Sequence, residues 1–205
     1  MKIHVFDFDG TLTTCDTLLA FIRHVRGRGA LAWGLLLYSP LLVAMKLHLI
    51  DNGRVKERFF SHFFRGMLER DFDMLCQDFA RQHTDIFRTE GLKTIERALD
   101  NGDEVVIVSA SVDRWVRPCL EQFIAESERF VVMGTEIEIV NGRLTGRFST
   151  LNCYGPEKLR RLKEYLGGAR NEKGGTKNFI IAYGDSRGDR ELLAYADEQH
   201  YKPFS

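Results

Sequence analysis

Asp7-Phe8-Asp9-Gly10-Thr11-Leu12-Thr13 follows the first apolar run of the chain, Ile3 to Phe6. A short unbroken run of this kind reads as a buried strand. Two carboxylates, a glycine and two hydroxyl residues then stand where the strand ends. In an open α/β sheet, ligands bind outside the carboxyl ends of the strands. Two acids emerging there make poor core, but a good site for a hard divalent cation and a phosphate.

Further apolar runs read the same way: Glu104–Ser109, Phe130–Met133 and Asn178–Tyr183. Between the second and third, Val112–Phe123 carries Trp115, Val116, Cys119, Leu120 and Phe123 at helical spacing. Pro156–Leu166 reads as another helix, with proline in its first turn and Gly167-Gly168 at its end. Strands alternating with helices predict a mainly parallel sheet covered on both faces. Thr135–Val140 and Arg143–Phe148, joined by Asn141-Gly142, predict a β-hairpin beside it.

Residues 14–84 break this alternation and read as helical throughout: Leu18–Arg26, Ala30–Ile50, Val55–Leu68 and Phe72–Gln82. They predict a helical cap inserted into a core built from residues 1–13 and 85–205. Ser39-Pro40 interrupts the apolar stretch, and serine as N-cap before proline predicts two helices folded as a hairpin. A membrane span needs about 20 mostly apolar residues, so this interrupted stretch favours a hairpin over a span. Leu31–Met45 either meets a membrane surface peripherally or forms a dry cap core, and both readings stay open.

Bulk properties narrow the class. The 205 residues hold 29 Lys+Arg against 29 Asp+Glu, so no excess basic charge points to a nucleic-acid partner. The 4 cysteines are scattered without a C-x-x-C pair, which predicts reduced thiols in a cytoplasmic protein, with membrane association left open. Asp7 and Asp9 interrupt what would be the apolar region of a signal peptide, so none is expected.

Four separated motifs carry chemistry. Asp7 is ionised at neutral pH and can attack phosphorus without a separate base, forming an aspartyl-phosphate. Asp9 can protonate the leaving alcohol and then activate water, given a raised pKa. Ser109 and the N–H groups that follow it can hold phosphate oxygens. Lys158 can offset the mutual repulsion of acids and phosphate. In Gly184-Asp185-Ser186-Arg187-Gly188-Asp189 two acids again follow a buried strand. Mg²⁺ takes oxygen ligands octahedrally, so Asp7, the Asp9 carbonyl and Asp185 would leave room for waters and phosphate. Taken singly, each motif has a plainer reading as a solvated turn, a helix cap or a surface lysine.

Taken in order, these motifs resemble the four motifs of the haloacid dehalogenase superfamily. The helical insertion directly after the first motif resembles its phosphoserine-phosphatase-like branch, subfamily IB, with a C1 cap. The resemblance implies an α/β fold: a Rossmann-like three-layer core with a mainly parallel sheet, plus an all-helical cap. It implies Mg²⁺-dependent hydrolysis of a phosphomonoester. By position it implies Asp7 as nucleophile, Asp9 as acid/base and Lys158 as the motif-three lysine. Gly10, Ser109, Ala110 and Lys158 would bind phosphate, Asp7, Asp9 and Asp185 would hold Mg²⁺, and Asp189 would stand behind the metal.

Serine-binding relatives carry a glutamate nine residues past the nucleophile. This chain has the shorter Asp16 there, expected to face the substrate from the cap. Their cap Phe–Arg pair, seven residues apart, is not placed in Val55–Gly66. The apolar stretch, with Cys153-Tyr154-Gly155-Pro156-Glu157-Lys158, resembles the phosphatidylglycerophosphatase C group, implying a lipid phosphate such as phosphatidylglycerophosphate. A small soluble phosphate ester, transfer to an alcohol instead of water, and a non-catalytic phosphate binder are the alternatives.

Overall fold

A computed structural model describes residues 1–47, 49–167 and 178–204; Gly168, assigned above to a helix end, lies outside them. The chain opens with β1 (Lys2–Phe6), then α1 (Thr17–Lys46), α2 (Asn52–Phe64) and α3 (Glu69–Gln82). A 3-10 turn at Thr84–Ile86 leads into α4 (Thr89–Asp100), β2 (Glu104–Val112), α5 (Asp113–Glu121) and β3 (Phe130–Thr135). The hairpin β4 (Ile137–Val140) and β5 (Arg143–Phe148) follows, then α6 (Pro156–Tyr165), β6 (Phe179–Gly184), α7 (Arg190–Tyr195) and β7 (Glu198–Tyr201).

The main sheet has the order β3-β2-β1-β6-β7, and every pairing in it is parallel. Side chains alternate across it, as the two-residue period of a strand requires. Ile3 and Val5 face Leu162 and Leu192 of α6 and α7. Phe6 faces the side covered by Ile95 of α4 and Trp115 of α5. The result is the three-layer α/β core expected from the sequence, with helices immediately after the first strand.

Those helices do not float free of the core. Phe21 of α1 stacks on Trp115 of α5 with centroids 5.0 Å apart. It meets Phe72 and Phe79 edge-on, at 5.5 and 5.4 Å. Such offset and T-shaped contacts add roughly 0.5–1.5 kcal/mol per pair beyond area burial. The β4–β5 hairpin turns at Asn141-Gly142, both at positive φ. It holds the cap through Gly66 N–H to Leu144 C=O at 2.8 Å and Glu69 N–H to Gly142 C=O at 2.9 Å.

Two details differ from expectation. The helical path breaks at Gly27 (φ 83°, ψ 166°), between the two helical stretches read from sequence, and not at Ser39-Pro40. Pro40 removes the N–H that the Leu36 carbonyl would accept. The Ser39 hydroxyl donates to that carbonyl at 2.7 Å instead, so the helix runs on and no hairpin forms. The second difference is that β2 continues past Ser109 to Val112, with its pairing to β3 shifted between Val108 and Val112. Ser109–Ser111 therefore form a bulge inside a strand, not its end. A bulge re-aims side chains, and this one lies beside the acids of β1.

Candidate active site

The Asp7 N–H donates to the Tyr183 carbonyl at 2.9 Å, extending the sheet and fixing Asp7 at its carboxyl edge. Its Oδ1 accepts from Lys158 Nζ, and Oδ2 accepts from the Thr11 hydroxyl at 3.3 Å. The Thr11 hydroxyl also lies 3.3 Å from Asp185 Oδ1. Lys158, only 2% exposed, donates to Asp189 Oδ1 at 2.6 Å. A buried cation between two buried carboxylates meets the requirement that an interior charge be paired.

One carboxylate oxygen from each of Asp7, Asp185 and Asp189 lies within 4.8 Å of the other two. Asp189 has little left to give a metal, however. Its Oδ2 accepts from the Asp185 and Ser186 N–H groups at 3.2 and 3.0 Å and from the Ser186 hydroxyl at 2.9 Å. Asp189 thus orients the loop and Lys158, Asp7 accepts from Lys158 and only at 3.3 Å from Thr11, and Asp185 accepts through Oδ1 alone among the described residues. Gly10 sits against this cluster at φ 83°, and a Cβ there would lie 2.5 Å from Asp185 Oδ2. The donor set is all hard oxygen, which fits Mg²⁺.

Asp9 turns the other way, toward the cap. Its Oδ1 accepts from the Thr17 N–H and hydroxyl at 2.9 and 2.6 Å, and its Oδ2 accepts from the Ser111 hydroxyl at 2.5 Å. Both Asp9 carboxylate oxygens are thus taken by donors from α1 and the bulge. Burial pushes the Asp9 carboxyl above its ordinary range, and the nearby Asp16 charge pushes the same way. Lys56 and the Ser111 and Thr17 donors oppose them. Burial also raises Asp7, against the pull of Lys158. Both carboxyls are therefore raised by burial, Asp7 to about 7 beside Lys158 and Asp9 among the Thr17 and Ser111 donors.

Ser109 is buried and accepts from the Ser111 N–H at 2.9 Å, which shapes the bulge. Ala110 lines the same cleft. Asp16 is brought to the cleft mouth, but its carboxylate already caps α1 by accepting from the Leu19 N–H at 3.1 Å. Of the cations on α2 and just after it, Lys56 turns into the cleft while Arg58 and Arg65 are exposed. Thr17 and Ser111, which fix Asp9, carry no sequence signal, lying 8 and 102 residues away along the chain.

These residues open into a cleft of about 420 Å³. Asp7, Asp9 and Lys158 lie at one end, and Leu35, Leu42 and Met45 of α1 with Val55 and Phe59 of α2 form an apolar wall. The opposite side of α1 is bare: Trp33 is 63%, Leu36 64% and Val43 57% exposed. Among the described residues, α1 alone is long and apolar enough to cross a membrane by length and composition.

Residues 4–194 match the family model described as haloacid dehalogenase-like hydrolase. Protein CicA of Caulobacter vibrioides is 31% identical over 204 residues, covering 97% of this chain and 85% of that protein. Among solved structures, a protein of unknown function from Bordetella pertussis Tohama I superposes with a TM-score of 0.78. It is 18% identical, over 97% of this chain and 88% of that one. A substrate-bound phosphoserine phosphatase superposes with a TM-score of 0.65 at 16% identity, over 97% and 84%. At these identities the structural likenesses speak to the fold.

Proposed function

The chain belongs to the haloacid dehalogenase-like hydrolase family, and on that premise we propose that it is a Mg²⁺-dependent phosphomonoesterase. One observation carries the reading: Asp7, Asp185 and Asp189 converge with Lys158 at the carboxyl edge of the sheet, beside the Ser109–Ser111 bulge. When bound, Mg²⁺ would be held by Asp7, the Asp9 carbonyl and Asp185, and would supply positive charge to the phosphate oxygens. Gly10, Ser109 and Ala110 would orient the phosphate, and Lys158 would balance charge as the phosphoryl group moves.

Asp7 attacks phosphorus in this mechanism. A bond forms from its carboxylate oxygen, the bond to the ester oxygen breaks, and Asp9 gives its proton to the departing alkoxide. Water then attacks the aspartyl-phosphate, Asp9 takes the proton, and inorganic phosphate leaves with Asp7 restored. Asp9 alternates between protonated and ionised forms, which suits a carboxyl whose pKa is raised by burial.

The substrate we propose is a phosphate ester with an apolar tail, such as phosphatidylglycerophosphate. The support is the continuity of the site with the apolar wall of Leu35, Leu42 and Met45. The bare face of the same helix would rest on a bilayer surface, where exposed Trp33 suits the interface. No acid interrupts Thr17–Ile50, so nothing in that stretch opposes an anionic membrane.

Parallel assays on phosphatidylglycerophosphate in mixed micelles and on phosphoserine, sugar phosphates and nucleotides test this reading. Vesicle flotation belongs beside them. Preference for the lipid together with vesicle binding supports the proposal. Turnover confined to soluble esters, without vesicle binding, would make α1 an ordinary cap wall.

A further inference from the structure

We propose, on the phosphatase reading above, that Lys56 is a positioning residue through which the cap fixes the phosphate-binding bulge and Asp9. Lys56 Nζ donates to the Ala110 carbonyl at 3.0 Å, reaching from α2 in the cap to the core. The Thr135 hydroxyl donates to the same carbonyl oxygen at 2.8 Å, from the end of β3. Two donors from separate elements therefore pin one oxygen.

A peptide unit is planar, so holding the Ala110 carbonyl also fixes the direction of the Ser111 N–H. That N–H donates to Ser109 Oγ at 2.9 Å, and the Ser111 hydroxyl donates to Asp9 Oδ2 at 2.5 Å. One peptide unit thus connects Lys56 to the phosphate binder on one side and the acid/base on the other. A solvated surface lysine would not be expected to choose a carbonyl inside a strand bulge. No ion pair competes for Lys56 among the described residues, and Arg58, two residues on, is exposed in the ordinary way.

The experiment compares wild type with Lys56→Met, Lys56→Arg, Thr135→Val and the Lys56→Met/Thr135→Val double variant. Para-nitrophenyl phosphate is the substrate, because it carries no second anionic group for Lys56 to bind. Calorimetric binding of inorganic phosphate with Mg²⁺ is measured alongside. Lys56→Met should lower kcat by about tenfold, the worth of one charge-assisted hydrogen bond, with KM moving less. Its melting temperature should stay near that of wild type. Lys56→Arg should restore most of the rate, and the double variant should lose less than the sum of the single losses.

Wild-type kcat and phosphate affinity in Lys56→Met would overturn the proposal. So would losses that simply add in the double variant, since a long-range charge effect needs no shared carbonyl. A wild type that binds phosphate but hydrolyses no ester would overturn the phosphatase reading instead, and the binding measurements would still judge Lys56.

Discussion

The Thr17 hydroxyl donates to Asp9 Oδ1 at 2.6 Å and accepts from Trp115 Nε1 at 3.1 Å. The first residue of the cap's first helix thus links the candidate acid/base to the largest fully buried side chain of the core. Thr17→Val keeps the shape and removes the donor. Hydrogen bonds to charged groups contribute about 1.5–3 kcal/mol, so kcat should fall roughly 10- to 100-fold. An unchanged kcat for this variant would mean that Asp9 needs no such support.

Gly10→Ala should damage the site more than the fold. A Cβ would press into Asp185 from 2.5 Å at a φ of 83°, and strain of this kind costs of order 1–3 kcal/mol. The Mg²⁺ concentration needed for half-maximal activity should rise while the far-ultraviolet spectrum stays native. Titration of activity with Mg²⁺ checks this.

Metal binding should be visible without turnover. A ligand that binds only the folded state raises stability in proportion to ln(1 + [L]/Kd). Mg²⁺ should therefore raise the melting temperature of wild type, and Asp185→Ala should abolish that rise. Excess chelator should end activity and added Mg²⁺ restore it, with Ca²⁺ a poor substitute because of its larger, looser shell.

Phe21→Ala should destabilise the chain by about 3–5 kcal/mol, the usual cost of deleting a buried phenyl ring. Phe21 touches Phe64, Phe72, Phe79 and Trp115, and so joins cap to core. Chemical denaturation followed by fluorescence reads the loss. A cost near zero would show that the cap holds its place without this cluster.

His83 offers a pH test. Burial first, then the neighbouring His24, holds its imidazole below the ordinary histidine range. The unfolded chain therefore binds the proton more readily, and this contribution to stability is lost as pH falls through about 6.5. The stability of wild type relative to His83→Gln should accordingly increase between about pH 5 and about pH 7.5. A flat difference across that range would contradict the assignment.

The parallel sheet was readable because its central strands β1, β2 and β6 are near-continuous apolar runs, buried on both faces. The acids stood out because they follow those runs at once. The path through Ser39-Pro40 was not readable, since the same two residues either start a helix or sit inside one. The choice between them depends on a single hydroxyl reaching Leu36. The partners of Asp9 were hidden for another reason: Ser111 reaches it only because β2 bulges, a feature of pairing with β3 and not of the residues in the bulge. Lys56 could be named as a cation, but its inward direction depends on how α2 packs against the hairpin. The short α7 and β7 carry too few residues for any period to show.

Nucleophilic attack by Asp7 is tested by turnover of para-nitrophenyl phosphate by wild type and Asp7→Asn with saturating Mg²⁺. Asn keeps the shape and removes the attacking charge, so the rate should fall by several orders of magnitude while melting stays cooperative. Near-normal turnover by Asp7→Asn, with deamidation excluded by mass, would contradict the covalent mechanism.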